Sequence, residues 1–135
     1  MKPEEHAMER EGPSIEVIFG DQGGNAIDQL GQHLAKKIKD VNKTQMRKFL
    51  TELKTVQQAK EFEFALSRFR WISRYIEAQE KKLKPLGECL RAAAQKVAEA
   101  DKSHQPKYFE RLQALMESVY AHYLYGQEQK GNSDA

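Results

Sequence analysis

Residues 27–56 read IDQLGQHLAKKIKDVNKTQMRKFLTELKTV. Ile27, Leu30, Leu34, Ile38 and Val41 recur at spacings of 3, 4, 4 and 3. That spacing places them on one face of a helix. Asn42 and Lys43 interrupt the stripe, and Thr44 offers a hydroxyl able to accept a free amide at the start of a second helix. Met46, Phe49, Leu50, Leu53 and Val56 form the second stripe. Proline is absent between Pro13 and Pro85, so nothing forbids long helices there. No strand alternation of useful length appears, and the fold class is all-α.

The same periodicity extends outward. A third helix is expected over residues 59–82. Phe62, Ala65, Leu66, Phe69, Ile72 and Ile76 fall on one of its faces, and Phe64, Trp71 and Tyr75 fall nearly opposite. A helix that is apolar on two sides is either central in a bundle or carries a second interface. Arg68, Arg70 and Arg74 lie on the flanks between those faces, with Arg70 and Arg74 one turn apart. Pro85 suits the first turn of a fourth helix, whose face is Leu86, Cys89, Leu90, Ala93, Val97 and Ala100. Pro106 opens a fifth, with Tyr108, Leu112, Leu115, Met116, Val119 and Tyr123, and Gly126 is a natural stop. The expectation is a compact bundle of about five helices over residues 26–126. A flexible N-terminal arm (1–25) precedes it and a disordered C-terminal tail (127–135) follows. The apolar run Ile15–Phe19 packs either on the bundle or on a neighbouring subunit. The glycines of residues 20–25 (GDQGGN) read as a linker, because no GK[ST] follows them.

The chain has 135 residues, enough for one domain with a real core. Its single cysteine, Cys89, forms no internal disulfide and offers no multi-cysteine zinc site. There is no apolar run long enough to span a membrane, and the charged stretch Met1–Gly12 does not resemble a secretory signal. A cytoplasmic protein is expected. His6, His33, His104 and His122 show no metal-ligand spacing, and Cys89 sits on an apolar face as an inert thiol. No nucleophile–base pair, catalytic carboxylate pair or metal set is visible. The chain therefore reads as no enzyme, with no catalytic residue, no metal and no cofactor.

Charge is unevenly placed. The net charge is +2, made up of −4 over residues 1–25, +7 over residues 26–84 and −1 over residues 85–135. A dense basic segment attracts polyanions far better than a scattered one, because counterions are released only where cations cluster. The alternative is a solvated lysine-rich surface.

The segment Lys43-Thr44-Gln45-Met46-Arg47-Lys48-Phe49-Leu50-Thr51-Glu52-Leu53 carries a resemblance. It is followed by a helix holding Phe64-Ala65-Leu66 with interleaved arginines, a quieter helix, and a tyrosine-rich helix reaching Tyr125-Gly126. Together these resemble the helical small subunit of type III-A CRISPR (Csm) effector complexes over about residues 27–126. The sequence departs from the family at Leu50, where a tyrosine is common, and at Tyr75–Lys82. The resemblance implies a non-catalytic subunit of an antiviral ribonucleoprotein. Several copies would stack along the complex and hold the guide RNA–target RNA duplex by its phosphates. The implied partners are guide and target RNA, other Csm subunits and further copies of the chain. The motif points to Lys43, Gln45, Arg47 and Lys48 as RNA-binding. Geometry and charge add Lys54, Arg68, Arg70 and Arg74. Phe64, Trp71 and Tyr75 are placed at a subunit interface, with core packing and stacking on RNA bases or ribose as the alternatives. A helical protein–protein adaptor without RNA binding is the alternative.

Overall fold

The computed structural model describes residues 15–56 and 62–134; residues 1–14 of the expected N-terminal arm and 59–61 of the expected third helix lie outside them. Five α-helices follow one another as α1 (Gly23–Lys37), α2 (Lys43–Val56), α3 (Phe62–Gln79), α4 (Lys84–Glu99) and α5 (Gln105–Asp134). Short 3-10 turns occupy Ile15–Phe19 and Lys81–Leu83, and the described residues contain no strand. None of these helices is long and apolar enough to cross a membrane.

The apolar stripes become one core. Leu30, Leu34 and Ile38 from the α1 region meet Met46, Phe49 and Leu53 of α2, Leu66 and Phe69 of α3, Leu86, Leu90 and Val97 of α4, and Leu112, Leu115 and Tyr123 of α5. The α1–α5 pair is the most intimate contact. The side chain of Ser118 donates to the carbonyl of Ile27 at 3.0 Å. It does so over Gly31, where an added Cβ would stand 1.9 Å from the Ser118 hydroxyl and 3.0 Å from its backbone carbonyl carbon. Gly31→Ala therefore gains about 1 kcal/mol of helix propensity but forces the two helices apart. A net loss of about 2 kcal/mol is expected in urea unfolding, with Ser118→Gly restoring much of it. A Gly31→Ala variant as stable as the parent would contradict the close crossing.

Four boundaries differ from the sequence reading. The first lies at the start of α2, which is capped by Asn42 and not by Thr44. The Asn42 Oδ1 accepts the Gln45 amide at 2.8 Å, so the helix opens at Lys43, one residue before Thr44. The second is the end of α3, expected at Lys82. It stops at Gln79, where Glu80 turns extended and its carboxylate accepts the Lys82 amide at 3.1 Å. The third concerns residues 15–25, expected within the flexible arm. Ile18 is fully buried, Phe19 stacks on Tyr108 with centroids 4.8 Å apart, and Arg111 donates to the carbonyls of Ile18 (2.9 Å) and Gly20 (2.5 Å). Of the two placements left open for Ile15–Phe19, the structure shows the bundle. The fourth is at Gly126, expected to end the last helix. α5 passes through it to Asp134, across the residues assigned to the C-terminal tail. Gly126 does not adopt the left-handed backbone that a glycine stop uses.

Candidate nucleic-acid interface

α2 is built so that its cations have nowhere to go but outward. Met46, Phe49, Leu50 and Leu53 are buried. At 100° per residue, that leaves Lys43, Arg47, Lys48 and Lys54 exposed, with Gln45 half-buried. Arg47 and Lys54 are seven residues apart, hence two turns and about 10 Å along one flank. The Arg47 carbonyl also accepts the Thr51 hydroxyl at 2.8 Å. Lys54 lines a hollow of 190 Å³ with Leu50 and with Gln113, Glu117 and Tyr120 of α5. Lys48 leans the other way, and its Nζ donates to the Gln79 side chain at the end of α3 at 3.2 Å.

The α3 arginines do not join this group as one patch. The Arg70 guanidinium donates to the Gln95 side chain of α4 at 3.0 Å. Arg74 lines a hollow of 620 Å³ with Glu77, Lys81, Lys84, Glu88 and Arg91. Gln79 and Arg70 are nine residues apart, so they project from α3 about 180° from each other. α2 and α4 therefore flank α3 on opposite sides, which separates Arg70 and Arg74 from Arg47 and Lys54. Arg68 belongs to neither group, and stands half-buried in the row of aromatic residues between them.

That row is Phe64, Trp71 and Tyr75, which are 54%, 54% and 61% exposed. Of the two roles open to a doubly apolar helix, the exposure rules out core packing for these three. Phe64 and Trp71 meet edge to face, with centroids 6.4 Å apart and planes at 89°. The opposite face of α3 carries buried Ala65, Leu66, Phe69 and Ile76.

Sequence reading missed the polar link that holds α3 to α4. Ser73 is fully buried, donates to the Arg70 carbonyl at 2.8 Å and accepts from Arg91 at 3.2 Å. Arg91 also makes a two-pronged contact with Glu77 at 2.5 and 3.2 Å. Only the i,i+4 spacing of Ser73 and Glu77 hinted that both face one neighbour. His122 and Asp28, 2.8 Å apart, likewise tie α5 to α1.

The reactive side chains are quiet. No cluster of three or more His, Cys, Asp or Glu able to hold a metal occurs among the described residues. Cys89 and His33 share a hollow with Lys37 and Lys84. Burial pushes the Cys89 thiol up to about 11. Burial first, then Lys37 and Lys36, lowers His33. From a reference of 9.0, that rise leaves about 100-fold less thiolate at neutral pH. Iodoacetamide should accordingly alkylate folded Cys89 roughly 10-fold or more slowly than the urea-unfolded chain; equal rates would show an accessible thiol of ordinary reactivity.

Residues 21–128 match a family model described as Csm2 Type III-A. No curated protein sequence and no solved structure matches the chain.

Proposed function

The chain belongs to the Csm2 family of type III-A CRISPR systems and is a small subunit of the Csm complex, and from that membership we propose that it is a non-catalytic, RNA-binding subunit. It grips the guide RNA–target RNA duplex by its phosphates, and several copies stack along the complex. The observation that carries the RNA part is the outward set Lys43, Arg47, Lys48 and Lys54 on a helix whose other face is locked into the core. A subunit that must accept any guide sequence has to read backbone and not bases. Flexible cations on a rigid helix do that. Gln45 sits at the capped start of the same helix, close enough in sequence to serve the same backbone. Arg70 and Arg74 provide a second, separate set of contacts on the α4 side of α3. Phe64, Trp71 and Tyr75, with Arg68 among them, form the contact with another protein subunit.

The test is recovery of the tagged chain from its native host with sequencing of the bound RNA. Guide RNAs carrying a repeat-derived end, together with other Csm subunits, are the expected result. Csm subunits without RNA after gentle, low-salt isolation would favour the protein-only adaptor reading and return the basic segment to a solvated surface.

A further inference from the structure

The chain enters the bundle beside a hollow that none of the described side chains fills. Ile15 lines it, with His33, Leu34 and Lys37 of α1 and Lys84 and Cys89 of α4. Its volume is 490 Å³. On its α1 wall, His33 has a buried Nε2 with no hydrogen-bond partner among the described residues. A buried polar atom left unpaired is costly, and native structures nearly always give it a partner. We infer that residues 11–14, which directly precede Ile15, lie in this hollow of their own chain and set Glu9 and Glu11 against Lys37 and Lys84. The inference is independent of the RNA reading.

The direction of the chain leads there. Glu16 pairs with Lys96 of α4 at 3.0 Å, and Ile15 packs on the core. On α4 the lining runs back from Ala92 to Lys84, eight residues of helix or about 12 Å. An extended chain covers about 3.3 Å per residue, so residues 11–14 match that length. Pro13 favours extended backbone at Gly12 and has no amide to leave unpaired. Ser14 brings a hydroxyl that both donates and accepts, so it can serve either tautomer of His33.

Charge selects the same segment. Residues 1–14 carry Glu4, Glu5, Glu9 and Glu11 against Lys2 and Arg10, net −2. The hollow presents Lys37 and Lys84 against Glu88, which stands 3.8 Å from Lys84. Lys37 is close enough to act on both His33 and Cys89. Each ion pair at a surface is weak. The tether compensates, because a segment joined at the edge of the hollow is held at an effective concentration of about millimolar or above. An RNA phosphate could meet the two lysines, but it would leave the apolar wall of Ile15, Leu30 and Leu34 uncovered. Seated there, the acidic segment neutralises Lys37 and Lys84 and leaves the cations of α2 as the exposed basic face.

Cross-linking of the full chain reads this directly. In a Cys89→Ala background, a short bis-maleimide should join Gly12→Cys to Glu88→Cys within one chain. It should do so roughly 5-fold or more faster than it joins Gly12→Cys to Lys102→Cys, which lies past Lys96 on the far side of the anchored Glu16. With the native Cys89, reversing Glu9 and Glu11 to lysine should release the segment and speed iodoacetamide alkylation of the folded thiol roughly 3-fold or more. Urea unfolding checks that the reversed chain keeps its stability, and the cross-link decides if it does not. Equal cross-linking to both positions would overturn the inference, and so would cross-links formed only between chains. A Cys89 rate unchanged by the charge reversal would overturn it too. Protection of Cys89 that appears only when RNA is added would give the hollow to RNA and likewise overturn it.

Discussion

Phe49→Ala should cost about 3–5 kcal/mol in urea unfolding, the largest loss expected from one side chain in this chain. Phe49 is fully buried, with Met46 and Leu53, also fully buried, within a turn of it on the same stripe. Truncation removes the apolar surface of the ring and leaves a void that a helix held at its start and near its middle cannot fully close. At its start α2 is fixed by the Asn42 cap, and Lys48 links it to the end of α3. Against a total stability of about 5–15 kcal/mol for a domain of this size, such a loss is about a fifth or more. RNA binding should fall with it, since α2 displays the cations only while it is docked. Phe49→Leu, which keeps much of the apolar volume, should lose less on both counts. A Phe49→Ala chain within about 1 kcal/mol of the parent would contradict the packing of α2.

Charge reversal of Arg47 together with Lys54 should weaken RNA binding on the order of 100-fold or more at low salt. Each exposed cation near a phosphate contributes about 1 kcal/mol in water, and reversal replaces attraction by repulsion of similar size. Two positions then amount to ~3 kcal/mol or more, or roughly 100-fold. The slope of affinity against salt should flatten by about 0.7–0.9 per lost contact. Where several copies act together the losses compound, so assembled complexes should lose RNA more steeply than the single chain. Both side chains are exposed, and unfolding should stay within about 0.5 kcal/mol of the parent. Reversing Lys102 and Lys107, exposed cations at the start of α5 and the turn before it, changes net charge equally and serves as the control. Equal losses from both pairs would mean that net charge alone governs binding, and normal binding by the Arg47/Lys54 variant would remove α2 from the interface.

The five helices were legible because their apolar residues recur at helical spacing over long, proline-free stretches. Their ends were less so. Asn42 and Thr44 are both good caps, and choosing between them requires knowing which side chain reaches an amide. Gly126 suggests a stop by type, yet a glycine ends a helix only by turning left-handed, and here the helix continues. Exposure of the cations on α2 followed from the same wheel that buried Phe49. Their grouping did not, because the wheel says which way Arg70 and Gln79 point but not which helix lies there. Arg68 was placed on a flank, although at 100° per residue it falls within 60° of Phe64, Trp71 and Tyr75, so its place among the aromatic residues was legible on the wheel. The Ser73–Glu77–Arg91 link was hidden because its parts lie up to 18 residues apart.

The pairing of α1 with α5 has a consequence for how the chain is made. Ser118 with Ile27, His122 with Asp28, Tyr123 with Val41 and Gln127 with Lys39 join residues 82 to 94 positions apart. The helix that leaves the ribosome first must wait for one made some 80 to 90 residues later. At about 5–20 residues per second, the apolar face of α1 stays open for roughly 5–20 s during each round of translation. α3 and α4, joined by a short turn, can close on each other within that interval. The nascent subunit is thus a half-built bundle with one greasy helix uncovered, which makes the last turns of α5 the step that ends its exposure to chaperones and to aggregation.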